Sequence, residues 1–108
     1  MTDIVGPAEG CSEAVFQAAV EDLADRCGWR RMHVAPTRSG RSWRTATTGD
    51  PGFPDLVLAR DGVVLLVELK KDRGGRFRPG QREWLEQAGA HGRLWKPRDW
   101  ATIIEELA

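Results

Sequence analysis

Gly52-Phe53-Pro54-Asp55-Leu56-Val57-Leu58-Ala59-Arg60-Asp61-Gly62-Val63-Val64-Leu65-Leu66-Val67-Glu68-Leu69-Lys70 is the stretch that decides the fold. Two aliphatic, β-branched runs flank Asp61-Gly62, a pair that readily takes the left-handed backbone of a two-residue hairpin turn. With Arg60 paired to Val63 and no bulge in between, Asp55 falls directly opposite Glu68. Facing residues on paired strands hold their Cβ atoms roughly 4.5–5.5 Å apart. Lys70 follows Glu68 by two positions and therefore leaves the strand on the same face. Like charges facing each other across a sheet are unfavourable unless a positive group stands between them, and a hard divalent cation bound by oxygen is such a group. The second strand, Val63–Leu69, is apolar almost throughout, which places it at the centre of a sheet with both faces buried. An ionisable pair at the end of such a strand is unfavourable to bury, so a functional reason is expected.

The remainder of the 108-residue chain has the composition of one globular domain, with 41% hydrophobic and 30% charged residues. No apolar run has the length of a membrane span. The opening Met-Thr-Asp-Ile-Val-Gly-Pro lacks the pattern of a signal peptide, and a cytoplasmic protein is expected. Cys11 and Cys27 have no metal-binding spacing and read as free thiols. The net charge is zero, but its distribution is segregated. Acids and no bases occupy residues 1–25, whereas Arg26, Arg30, Arg31, Arg38, Arg41 and Arg44 fill residues 26–49 without an acid. Lys70, Lys71, Arg73, Arg76, Arg78 and Arg82 follow, with Asp72 alone against them. Two basic segments point to a polyanionic partner, and arginine suits planar, bidentate contacts with phosphate.

Along the chain, residues 1–11 form a lead and residues 12–108 the domain. Ser12 is placed to cap a helix running to about Cys27, with Gly28 as its stop and Phe16, Val20, Leu23 and Cys27 as its buried stripe. Glu13, in the first turn, reads from periodicity alone as an acid favoured by the helix dipole. Trp29–Ala35 is a short strand in which His33 is an ordinary polar-face residue. Residues 36–51 lack periodicity and read as a surface loop, in which Arg41, Trp43 and Arg44 set an aromatic among cations, either a clamp for nucleic-acid backbone and base or, for Trp43, a loop residue packed on the edge of the core. Beyond the hairpin, Lys71–Arg78 is a basic loop and Pro79 opens a helix from Gln81 to about Ala90, ended by Gly92. Arg93-Leu94-Trp95-Lys96 is a strand, and Asp99 caps a final helix. The order helix, strand, strand, strand, helix, strand, helix combines an antiparallel hairpin with a parallel βαβ unit, giving a mixed α/β sheet.

Pro54-Asp55, twelve further residues, and then Glu68-Leu69-Lys70 make an Asp…Glu-x-Lys pattern on adjacent strands. Two carboxylates and the Leu69 carbonyl suit Mg²⁺, which keeps several waters in its octahedral shell and acidifies water, with Lys70 beside it to neutralise developing phosphate charge. The sequence resembles the PD-(D/E)XK nuclease superfamily, and most closely its VRR-NUC (virus-type replication–repair nuclease) branch. The matching pieces are Ser12-Glu13…Phe16-Gln17, Gly28-Trp29 with His33, Gly52–Val57, Glu68-Leu69-Lys70, Pro79-Gly80-Gln81 with Trp84-Leu85, and Trp95-Lys96-Pro97 before Asp99-Trp100.

The resemblance implies the restriction-endonuclease-like αβββαβ core. It implies Asp55 and Glu68 as metal ligands, Lys70 as the catalytic lysine, Glu13 as a carboxylate facing the metal directly or through water, and Gln81 as a helix glutamine beside them. The expected activity is Mg²⁺-dependent hydrolysis of phosphodiester bonds in branched or structured DNA such as a Holliday junction, flap or fork, in phage-type replication and repair. Mn²⁺ is expected to substitute, and a homodimer is expected. Arg38, Arg41, Trp43, Arg44, Lys71, Arg73, Arg76 and Arg78 are the expected DNA contacts. The alternatives are an inactive DNA-binding or assembly module on the same fold, or a hydrolase of RNA.

Overall fold

The computed structural model describes residues 6–34, 37–39, 42–44 and 48–108. The first helix, α1 (Glu13–Arg26), starts where Ser12 Oγ accepts a hydrogen bond from the Val15 amide at 3.2 Å. It stops at Gly28, whose φ of +82° is the left-handed value that ends helices. Phe16, Val20, Leu23 and Ala24 form its buried stripe, while Cys27 is half-buried beside it.

Strand β1 (Arg30–His33) pairs antiparallel with β4 (Leu56–Arg60), which pairs antiparallel with β5 (Val63–Leu69). Asp61 and Gly62, with φ of 50° and 83°, make the turn, and the ladder runs without a bulge from Arg60–Val63 to Leu56–Val67. Helix α2 (Gln81–Ala88) then carries the chain over to β6 (Gly92–Trp95), parallel to β5. The resulting sheet has the order β1-β4-β5-β6, with β5 in the interior as the sequence implied. Helix α3 (Trp100–Leu107) closes the fold. Leu56, Leu58, Leu65, Val67, Leu69 and Trp95 pack with the stripe of α1 and with Ile103 and Leu107 of α3 in one core. The described residues form a single domain with a mixed four-stranded sheet and three α-helices. No helix among the described residues is long and apolar enough to cross a membrane.

Four local expectations are corrected. Within the expected loop 36–51, β2 (Thr37–Ser39) and β3 (Ser42–Arg44) pair with each other as a separate two-stranded sheet. Such a ribbon needs no apolar alternation, so periodicity could not signal it. Strand β5 is not buried on both faces, because Val63 and Val64 are 46% and 43% exposed. The two point to opposite faces at the turn end of the strand, and on the face of Val64 the eight-residue α2 covers the sheet only in part. Helix α2 ends at Ala88 because Gly89 breaks it with a positive φ, a 3₁₀ turn follows over Gly89–His91, and Gly92 instead opens β6. Asp99 does not cap α3 with its side chain; Pro97–Asp99 is a 3₁₀ turn whose carboxylate accepts from the Lys96 amide at 2.9 Å.

Candidate metal centre

Asp55 stands one residue before β4, and four contacts fix it. Its carbonyl accepts from the Val34 amide and from His33 Nδ1, each at 3.0 Å. Its carboxylate Oδ2 accepts from the Leu69 amide at 2.9 Å, and Oδ1 lies 3.7 Å from the Arg78 guanidinium. The Asp55 side chain thus ties the start of β4 to the end of β5, where the carboxylate takes up an amide left by the ladder.

Glu68, on β5, is 1% exposed. Its Oε2 accepts from Lys70 Nζ at 2.9 Å and from Gln81 Nε2 at 2.8 Å. Its Oε1 is buried and accepts no hydrogen bond from the described residues. Gln81 is buried as well, and its other end is fixed because Oε1 accepts from the Arg78 amide at 2.7 Å. One oxygen is therefore held by two donors and the other is left open, and an unpaired buried carboxylate oxygen is strongly unfavourable without a partner. Burial pushes the Glu68 carboxyl up to about 7; Lys70 pulls it back and the neighbouring Asp55 adds to the rise.

Glu13 reaches the same place from the first turn of α1. One carboxylate oxygen each from Glu13, Asp55 and Glu68 lie within 4.8 Å of one another. Three converging carboxylates, one of which has an oxygen buried without a partner among the described residues, form a donor set that fits a hard divalent cation. Proximity in the fold, not periodicity, decides the matter for Glu13: the exposed acid that the helix dipole favours also faces two others. Leu69 stands at the end of β5 with its side chain in the core and its amide on Asp55.

A cleft of about 480 Å³ opens over the cluster. Glu13, Gln17, His33, Asp55, Lys70, Lys71, Arg76 and Arg78 line it, so acids and cations share its wall. Of the expected DNA contacts, Lys71, Arg76 and Arg78 border this cleft, and Arg73 lies exposed in the same segment. Arg41 and the side chains of Arg38, Trp43 and Arg44 lie outside the described residues. Sequence reasoning gave no role to His33, which holds the Asp55 carbonyl, or to Phe77, whose ring lies 5.8 Å from Lys70 Nζ. A single aromatic in a Gly- and Arg-rich loop carries no periodic signal, so only the fold reveals that contact.

Two backbone features position these groups. Asp72 pins the segment after β5: its side chain is 8% exposed and accepts from the Gly10 amide at 2.8 Å and from the Arg98 amide and Nε at 3.0 and 3.2 Å. Burial alone would push this carboxyl up, but those donors together hold it below the usual carboxylate value. Gly52 and Gly80, both with positive φ, pack backbone against backbone. Beside them the Phe53 and Trp84 rings meet edge to face at 4.9 Å, and Trp84 Nε1 donates to the Asp50 carbonyl at 3.2 Å. The Asp55 loop is thereby clamped to the start of the helix that carries Gln81.

No family model and no curated protein matches this sequence. Among solved structures, a chain described as "VRR_NUC domain" aligns over 91% of this chain and 97% of its own length, with a TM-score of 0.58 and 24% sequence identity. The chain therefore has the fold of a VRR_NUC domain, the mixed sheet of restriction-endonuclease type with flanking helices.

Proposed function

We propose that the protein is a metal-dependent nuclease that hydrolyses phosphodiester bonds of DNA. The observation that carries this reading is Glu68 Oε1, buried without a partner beside the carboxylates of Glu13 and Asp55. Asp55, Glu68 through Oε1, the Leu69 carbonyl and Glu13 (directly or through a water) would hold the cation. A bound Mg²⁺, with Mn²⁺ as substitute, supplies Lewis acidity toward a phosphoryl oxygen and lowers the pKa of water at the site. Gln81 and Lys70 hold Glu68 Oε2 and so leave the buried Oε1 without a donor among the described residues. The Lys70 ammonium is the fixed positive charge next to the carboxylates, available to the charge that develops on the phosphate. Lys71, Arg73, Arg76 and Arg78 grip flanking phosphates beside the cleft, and Arg38, Arg41, Trp43 and Arg44 serve the second basic segment.

Branched or structured DNA, a homodimer and a place in replication and repair are the finer parts of the proposal, and they rest on the family resemblance. The test is cleavage of four-way-junction, flap and fork DNA in Mg²⁺, Mn²⁺ or EDTA, comparing wild type with Glu68→Ala and Lys70→Ala. Metal-dependent cleavage lost in both variants is expected. DNA binding without such cleavage would instead mean an inactive binding module, and sedimentation of the free protein tests the dimer.

A further inference from the structure

Lys70 is 6% exposed although it directly follows the last residue of β5 and belongs to a basic, Gly-rich segment. Its amide donates to the Trp95 carbonyl at 3.1 Å, so the sheet fixes the base of its side chain. The rest is enclosed by the segment that follows. At Gly75 a Cβ would lie 3.1 Å from Lys70 Cβ and 3.4 Å from Lys70 Cδ, so the bare glycine lets the chain lie directly on the lysine stem. The half-buried Phe77 faces the ammonium at 5.8 Å and also meets the Arg82 guanidinium, 4.4 Å from its ring centroid. Both ends of this segment are tied down, by Asp72 to Gly10 and Arg98, and by the Arg78 amide to buried Gln81.

We propose that residues 71–78 are a fixed cover over Lys70 and that Phe77 is its positioning residue. The proposal rests on the reading of Lys70 as the catalytic lysine. A cation held by Glu68 would draw the carboxylate's charge away from Oε2, where Lys70 Nζ lies at 2.9 Å, and so weaken that pair. The face of the Phe77 ring, 5.8 Å from Nζ, is an attraction that does not depend on the carboxylates and would still hold the ammonium near the cluster. Arg82, stacked on the same residue, ties the ring to the first turn of α2. Phe77 thus links the lysine to the helix that also orients Glu68 through Gln81.

The test uses the full chain without metal. Reductive methylation with formaldehyde, followed by mass spectrometry, compares Lys70 with its exposed neighbour Lys71 as an internal standard. Lys70 is expected to react far more slowly than Lys71 in wild type and to approach it in Phe77→Leu. In Gly75→Val a side chain must push off the lysine stem, and the same gain in Lys70 reactivity is expected. Phe77→Tyr, which keeps an aromatic face, is expected to restore protection. In the cleavage assay Phe77→Leu should lower kcat about tenfold while DNA affinity in EDTA stays unchanged, and Phe77→Tyr should recover the rate. Equal reactivity of the two lysines in wild type, or undiminished protection in both Phe77→Leu and Gly75→Val, overturns the cover. A wild type that cleaves no DNA overturns the nuclease reading instead, because the methylation ratio is measured without any cleavage.

Discussion

Gly52 and Gly80 touch backbone to backbone: a Cβ built on Gly52 would lie 2.5 Å from the Gln81 amide nitrogen. Both residues have a left-handed φ, of 91° and 89°. The contact locks the loop leading into Asp55 against the N-terminus of α2, and Gln81 is the first residue of that helix. Gly80→Ala combines an unfavourable φ, about 1–2 kcal/mol, with a backbone clash. A loss of at least about 2 kcal/mol in urea unfolding is expected, together with reduced metal affinity because Asp55 and Gln81 shift apart. A variant as stable as wild type would show that the two segments can separate freely.

Glu68 makes stability depend on pH in an uncommon direction for a carboxylate. Its pKa in the fold, about 7, stands above the ordinary value of 4.5. The fold therefore favours the protonated form, so this contribution is complete below about pH 4.5 and is lost as pH rises through 7. In EDTA, the stability difference between wild type and Glu68→Gln should move in favour of the variant by on the order of 3 kcal/mol between pH 4.5 and pH 8. Urea titrations of both proteins across that range read it directly, and parallel curves would contradict the raised pKa.

Divalent cation should reverse that loss. Binding at Glu13, Asp55 and Glu68 requires charged carboxylates, so it is linked to proton release. Saturating Mn²⁺ should raise the melting temperature more at pH 8 than at pH 6, by several degrees at a hundredfold excess over Kd. Asp55→Asn and Glu68→Gln should each abolish the shift, and calorimetry should show no Mn²⁺ binding to them. An unchanged shift in both variants would place the cation elsewhere.

Asp72 should govern how firmly the basic segment is held. Asp72→Ala leaves the exposed amides of Gly10 and Arg98 to water and removes the acceptor that ties them to this segment. Limited digestion with trypsin should cut faster after Arg73 and Arg76 than in wild type, ahead of any change at Arg60. Cleavage at the wild-type rate would mean that Asp72 is not what restrains the segment.

Much of the centre was legible in the sequence because it depends on short-range rules. Asp61-Gly62 sets the turn, the turn sets the register, and the register brings Asp55 to the level of Glu68 without a bulge. The βαβ unit, the interior position of β5 and the cap at Ser12 follow from equally local signals. The β2–β3 ribbon was not legible, since backbone pairing between short polar segments leaves no periodic trace.

What the sequence alone determined is which strands pair and in what register, because turn chemistry and side-chain alternation act over a few residues. Only the tertiary structure decided which oxygen of Glu68 stays free, that Glu13 joins it, and that Phe77 and Gly75 enclose Lys70. Those relations depend on how α1, α2 and the segment after β5 pack at one end of the sheet. Burial and the direction of individual hydrogen bonds are set by elements distant in the chain, and no local pattern encodes them.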